Sequence, residues 1–190
     1  LLNTINSMLK FKIYLLAILC SSLAYSQKGF KAGFDKSEAI DAILISSFHK
    51  PDSVRKTLKM PKPKNWKLVY SSPVVGLDNK WNLWYNKKNN TCEINIRGTV
   101  QKMDSWMENL YSGMINSQGE IKLNANTTFK YKMAEDPLAY IHVGWTIGVG
   151  FLSQTILEKI DEYYKKGVRK FYISGHSQGG AIAILLTSYL

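Results

Sequence analysis

The sequence predicts an α/β domain, a mostly parallel sheet with flanking helices, and three observations predict it. Short β-branched and aromatic runs fill the stretch from 66 to 98, as "WKLVYSS", "WNLWYNKK" and "TCEINIRG". A long helical pattern follows in "HVGWTIGVGFLSQTILEKIDEYYKKG". Last, "VRKFYIS" runs directly into "GHSQGG" and a stretch of small and aliphatic residues, the order strand, tight turn, helix.

Ahead of these elements the chain divides in two. Its 190 residues suit one domain, and a hydrophobic content of 45% is that of a globular protein. Residues 1–26 read as upstream residues and a signal peptide, and 27–190 as the domain. Met8 opens "MLKFKIYLLAILCSSLAYSQ", where Lys10 and Lys12 precede an apolar stretch from Ile13 to about Ala24, and Ala24-x-Ser26 offers small residues for cleavage before Gln27. The apolar stretch is shorter than the roughly 18 to 20 residues that span a bilayer, so removal is preferred to anchoring and the mature chain carries no transmembrane segment. Leu19 is bulky where a lipidation signal at Cys20 would carry a small residue. The expected location is secreted or periplasmic. "LLNTINS", before Met8, has no start methionine and reads as upstream sequence in frame.

Cleavage leaves Cys92 as the one cysteine, so no intrachain disulfide is expected despite an oxidising destination. The formal charge of +11 falls by only the two lysines that leave. The remaining lysines are scattered, with pairs such as Lys87-Lys88 and Lys165-Lys166 at turns or helix ends. That distribution reads as a solvated basic surface and argues against a nucleic-acid partner.

Along the domain, Asp35-Lys36-Ser37-Glu38 has capping-box spacing, and Ala39, Ile40, Ile43, Leu44 and Phe48 follow at helical intervals. A helix is expected to about His49, where Pro51 interferes; His49 itself is expected at the surface. "PKPKNW" is a linker into the three strands, with Lys87 to Asn90 as the turn between the second and third. In "MDSWMENL", Met103, Trp106, Met107 and Leu110 fall at i, i+3, i+4 and i+7, a short amphipathic helix whose apolar stripe faces either the core or a substrate. The polar stretch from Asn116 to Asn126 has no clear assignment. Phe151, Leu152, Thr155, Ile156 and Ile160 then form one face of a long helix that stops at Gly167, with Lys165 and Lys166 in the last turn, where the macrodipole favours cations.

Gly175-His176-Ser177-Gln178-Gly179 is a G-x-S-x-G pattern, weak by itself and stronger in this setting. A serine nucleophile at such an elbow needs a strand that ends, a sharp reversal and a helix that starts beneath it. Glycines 175 and 179 leave room for the turn, and Gly180 and Ala181 allow close packing of the helix. The helix N-terminus would also place N–H groups and positive dipole where an oxyanion forms. No lysine follows at the spacing of a phosphate-binding loop.

Three ordered blocks resemble the class 3 lipases, the fungal-lipase-like α/β hydrolases: "INIRGTVQKMDSWMENL", "IHVGW" and "YISGHSQGGAIA", together covering about Glu93 to Leu190. The resemblance implies an α/β-hydrolase fold, truncated after the nucleophile-elbow helix. It implies that Ser177 is the acylated nucleophile, that Thr99 and Gln178 supply the oxyanion hole, and that Met103, Trp106, Met107 and Leu110 lie on a candidate lid. Gln178 follows independently from elbow geometry. His142 and His176 are expected to be structural rather than the catalytic base. No metal or cofactor is implied; the partner is a lipid or ester substrate, at a lipid–water interface if the lid reading holds.

In this fold the acid and then the histidine follow the serine, yet "QGGAIAILLTSYL" after Ser177 holds neither. The chain therefore reads as an inactive fragment of a secreted ester hydrolase, and Ile182, Leu185 and Leu186 are expected to lose their cover, with poor solubility. The alternative is a non-catalytic lipid- or cell-envelope-binding protein on a degenerate hydrolase scaffold. Chain-length preference and oligomeric state leave no mark in the sequence.

Overall fold

A computed structural model of the chain describes residues 33–100, 109 and 113–190. The chain divides into compact units at 1–35 and 36–190, and the architecture below is that of the second. The signal peptide expected before residue 27, and Met103, Trp106, Met107 and Leu110, lie outside the described residues.

Helix α1 (Lys36–Ser46) passes into a single 3₁₀ turn, Ser47–His49, and stops at Pro51, which caps the short α2 (Asp52–Thr57). Strands β1 (Trp66–Ser71), β2 (Trp81–Asn86) and β3 (Thr91–Ile96) follow, within a residue or two of the sequence pattern. The turn at 87–90 is too short for anything but a hairpin, so β2 and β3 are antiparallel. Asn86 shapes that turn by accepting the Lys88 and Asn89 N–H groups, at 3.1 and 3.3 Å.

The unassigned polar stretch is β structure. Strand β4 (Met114–Asn116) leads through Ser117 into β5 (Gln118–Asn124), which forms a hairpin with β6 (Thr127–Lys132). Ile121, Leu123, Phe129 and Tyr131 alternate with polar residues and turn inward, while the Asn124 side chain accepts the Asn126 N–H at 2.9 Å to close the turn. Strand β7 (Tyr140–His142) returns to pair with β4. The long helix α3 (Val143–Lys165), β8 (Lys170–Gly175) and α4 (Gln178–Tyr189) complete the order.

The main sheet runs β1-β2-β3-β8. It is mixed: the two hairpin pairings are antiparallel, and the β3–β8 pair, joined by the crossover through α3, is parallel. Among the described residues no strand pairs with the outer edge of β8.

Every residue of β3 is buried, yet the strand alternates. Cys92, Ile94 and Ile96 stand beside Tyr85, Leu83 and Trp81 of β2, and Ile94 also beside Ile173 of β8. This apolar face packs on Val149, Leu152 and Ile156 of α3 and Ile182 and Leu186 of α4, all of them wholly buried or nearly so. The Trp81 indole donates to Thr155 Oγ1 at 3.0 Å, pinning α3 across it. At roughly 1.5–3 kcal/mol for each large side chain withdrawn from water, this face is the main source of stability.

Thr91, Glu93 and Asn95 point the other way, beside Asn86, Trp84 and Asn82 of β2 and Tyr172 and Ser174 of β8. That face is polar and is covered by α1: Asn95 Nδ2 donates to Ser46 Oγ at 2.8 Å, and Phe48 meets the Trp84 ring edge-on at 4.7 Å.

The cover of α4 differs from the expectation. Ile182 and Leu186 do not lose their cover, because α3 and the hairpin close over α4, with Tyr189 against Phe129 at 5.1 Å. Leu185 packs partly against the same core, and Ile184, 70% exposed, is the one that faces outward.

Candidate active site

Strand β8 ends at Gly175 and α4 begins at Gln178, so two residues make the whole reversal. The chain does this by putting Ser177 at φ 57 and ψ −128, a conformation that ordinarily belongs to glycine and costs a side-chain-bearing residue about 1–3 kcal/mol. The turn is closed by Gly179 N–H to His176 O at 3.0 Å and by Gly180 and Ala181 N–H to Ser177 O at 2.9 and 3.2 Å. Neighbouring backbone leaves no room for side chains. A Cβ on Gly175 would run into the Gly179 carbonyl, and one on Gly179 into the Ile96 and Arg97 carbonyls at the end of β3.

Strain held this firmly leaves Ser177 exposed at the carboxyl end of the sheet, above the first turn of α4. Its side chain makes no capping bond to that helix, so the hydroxyl is not spent on structure. His176 is also exposed, and its carbonyl closes the turn.

The segment after β3 lies directly on this elbow. A Cβ on Gly98 would strike the His176 carbonyl, so the Arg97-Gly98-Thr99 backbone can approach only because residue 98 is glycine. Arg97 fixes where the approach begins: its Nη2 donates to the Asp78 backbone oxygen at 2.6 Å and to Asp78 Oδ2 at 2.8 Å, a largely buried pair, and its N–H donates to Lys80 O at 2.9 Å. Thr99 is thereby brought to Gln178, whose buried side chain accepts the Thr99 hydroxyl at 2.8 Å. Thr99 follows the end of β3 and Gln178 opens α4, so the two expected oxyanion residues come from separate elements and meet at the elbow.

Of the histidines, none bonds to the Ser177 hydroxyl. His142 is the N-cap of α3, where Nδ1 accepts the Trp145 N–H at 3.3 Å and the ring stacks on Trp145 at 4.0 Å. His49, expected at the surface, is instead partly buried over β3, and desolvation lowers its pKa to about 4.

A polar network beneath the elbow was not singled out from the sequence. Ser174, three residues before Ser177, donates to Glu93 Oε1 at 2.6 Å and receives Asn95 Nδ2 at 2.7 Å. Glu93 is 2% and Asn95 0% exposed. Burial, opposed by the Ser174 hydrogen bond and reinforced by nearby Asp41, raises the Glu93 pKa to about 7. The signal was present in "TCEINI", but polar residues at alternate strand positions ordinarily face water, and only α1 overhead makes them interior. Beside this network, between α1 and the ends of β3 and β8, a cavity of about 360 Å³ reaches Thr99 and His176. Its lining does not include Ser177. No group of three His, Cys, Asp or Glu side chains able to hold a metal occurs among the described residues, and no helix among them is long and apolar enough to cross a membrane.

Residues 93–190 match the family model for lipase (class 3). No curated protein matches the sequence. Among solved structures, the chain is similar to a fungal lipase in complex with an inhibitor, at 16% identity and a TM-score of 0.56, with 80% of this chain and 55% of that one covered. It is likewise similar to the triacylglyceride lipase of Rhizomucor miehei, at 16% identity and a TM-score of 0.52, covering 83% and 56%. A propeptide complex of a Rhizomucor miehei lipase deletion mutant gives 16% and 0.51, covering 83% and 48%. The likeness is one of fold, and the chain spans about half the length of these lipases. A strained serine elbow with the Arg97-Gly98-Thr99 turn packed on it, inside an α/β-hydrolase sheet and within the span of the matching model, places this chain in the class 3 lipase family.

Proposed function

We propose that the chain is the nucleophile-bearing part of a secreted carboxylic ester hydrolase acting on acylglycerols or related lipids through an acyl-enzyme on Ser177. The observation that carries this reading is Ser177 at φ 57, uncapped and exposed, next to Gln178, on whose side chain the Thr99 hydroxyl is bonded. The Ser177 hydroxyl attacks the ester carbonyl carbon and gives up its proton to a base. The carbonyl oxygen becomes an oxyanion received by the backbone N–H groups of Thr99 and Gln178. Collapse expels the alcohol, which takes the proton back, and water releases the acid by the same route.

The base and the carboxylate that orients it are absent from residues 178–190. In this reading they belong to the remainder of a lipase of which this chain is about half, and residues 27–190 alone turn over no ester. Two features support that: among the described residues no strand pairs with the outer edge of β8, where further strands would continue the sheet, and the match to whole lipases covers about half their length. Met103, Trp106, Met107 and Leu110 serve as a lid in the same reading, so turnover should jump when substrate passes from monomers to aggregates.

The test is to read the coding sequence past Leu190 in all three frames, express the product from Gln27 and assay p-nitrophenyl esters beside Ser177→Ala. An acid and a histidine after Leu190, with hydrolysis lost in the variant, are the expected results. A folded product with neither residue and no hydrolysis would favour the binding-protein alternative.

A further inference from the structure

The Thr99–Gln178 bond is one end of a longer chain of hydrogen bonds that crosses four separate segments. Trp145 Nε1, in the first turn of α3, donates to Asn109 Oδ1 at 3.1 Å. Asn109 Nδ2 donates to Thr99 Oγ1 at 3.0 Å, and Thr99 Oγ1 donates to Gln178 Oε1 at 2.8 Å.

The direction of this chain follows from its first member. An indole N–H can only donate, so the amide oxygen of Asn109 must face Trp145. Its NH₂ group must then face Thr99, and an amide NH₂ can only donate as well. The Thr99 hydroxyl has to accept there, which leaves its proton for the Gln178 side-chain oxygen. Were Asn109 to turn over, Thr99 would donate to it and could no longer donate to the Gln178 side-chain oxygen. The indole itself is held by the His142 ring stacked on it and by the Trp145 N–H bonded to His142 Nδ1.

We propose that Trp145 is a positioning residue for the oxyanion hole: by fixing the Asn109 amide it commits the Thr99 hydroxyl to Gln178 and sets the spacing of the two residues whose backbone N–H groups receive the oxyanion. This rests on the serine-hydrolase reading above. Acting through the oxyanion hole, which serves the transition state, the relay should make itself felt in kcat rather than KM. It also assigns the Thr99 hydroxyl a structural bond, leaving the backbone N–H as that residue's contribution to the hole.

The experiment uses the product expressed from Gln27 through whatever sequence follows Leu190, as wild type, Ser177→Ala, Trp145→Phe, Asn109→Leu and the Trp145→Phe/Asn109→Leu double variant. Phenylalanine keeps a ring on His142 and removes only the donor. The expected result is a kcat lower by about tenfold in Trp145→Phe with KM within about twofold, a similar or larger loss in Asn109→Leu, and no further loss in the double variant. If Trp145→Phe does not fold, Asn109→Asp asks the same question from the next link, because a carboxylate accepts from both neighbours and withdraws the hydroxyl from Gln178; the same fall in kcat is expected. Wild-type kcat in either variant, or losses that multiply in the double variant, would overturn the relay while Ser177→Ala remains inactive. Hydrolysis undiminished in Ser177→Ala would overturn the serine reading, and the relay with it.

Discussion

The two faces of the central sheet are equally buried and oppositely built. Under α3 and α4 the side chains of β2, β3 and β8 are Trp81, Leu83, Ile94, Ile96 and Ile173, and the helices answer with aliphatic residues. Under α1 they are Asn82, Glu93, Asn95 and Ser174, of which Glu93, Ser174 and Asn95 are bonded in a chain that ends on Ser46. Among the described residues, six buried side-chain atoms lack a protein partner, and four of them lie on the polar side: Asn82 Oδ1, Trp84 Nε1 and Asn95 Oδ1 on the sheet, and His49 Nε2 on the segment above; the other two are Arg55 Nε and Arg97 Nε. The apolar face therefore supplies stability that does not depend on protonation, and it lies beneath the elbow helix. The polar face supplies little net stability and makes the fold sensitive to pH, because each buried polar atom must recover by bonding what it lost in leaving water.

The largest effect should come from the seam between the faces, where the elbow crosses the end of β3. Gly179→Ala forces apart two strand carbonyls and should cost more than about 4 kcal/mol in chemical denaturation, or prevent folding. On the apolar face, Ile94→Ala or Ile182→Ala should cost about 2–5 kcal/mol, with a penalty that stays constant from pH 4 to pH 8.

Glu93→Gln tests the polar face. The folded pKa of about 7 lies above the ordinary value of 4.5, so the wild type holds this part of its stability below pH 4.5 and loses it as pH rises through 7. Glutamine still accepts the Ser174 hydroxyl and never ionises. The variant should match the wild type near pH 4 and exceed it above pH 7, by at most about 3 kcal/mol. A constant offset across that range would break the contrast between the faces. His49→Gln should give a smaller effect of opposite sign. A pKa lowered from 6.5 to about 4 gives stability that is present above 6.5 and lost as pH falls towards 4, and the partly exposed ring limits its size.

The same contrast explains what the sequence disclosed. Local signals sufficed for α1, β1 to β3, α3 and the elbow, since each carries its own period, cap or glycine, and Gly175, Ser177 and Gly179 state the strain they serve. The hairpin of β5 and β6 escaped because its few apolar residues, Ile121, Leu123, Phe129 and Tyr131, are diluted by asparagine, threonine and lysine on the wet side. Glu93 and Asn95 escaped because nothing local marks a polar strand face that a distant helix covers. The Trp145–Asn109–Thr99–Gln178 relay joins residues from 99 to 178, and only the folded chain brings them together.

Whether Ser177 is a nucleophile is read out by active-site labelling. The product expressed from Gln27 through the sequence beyond Leu190 is treated with a fluorophosphonate and its modified peptide identified by mass spectrometry. Labelling confined to Ser177, abolished in Ser177→Ala together with ester hydrolysis, is the result predicted here. A folded protein that hydrolyses esters while Ser177 stays unlabelled, or whose Ser177→Ala variant is as active as the wild type, would contradict it.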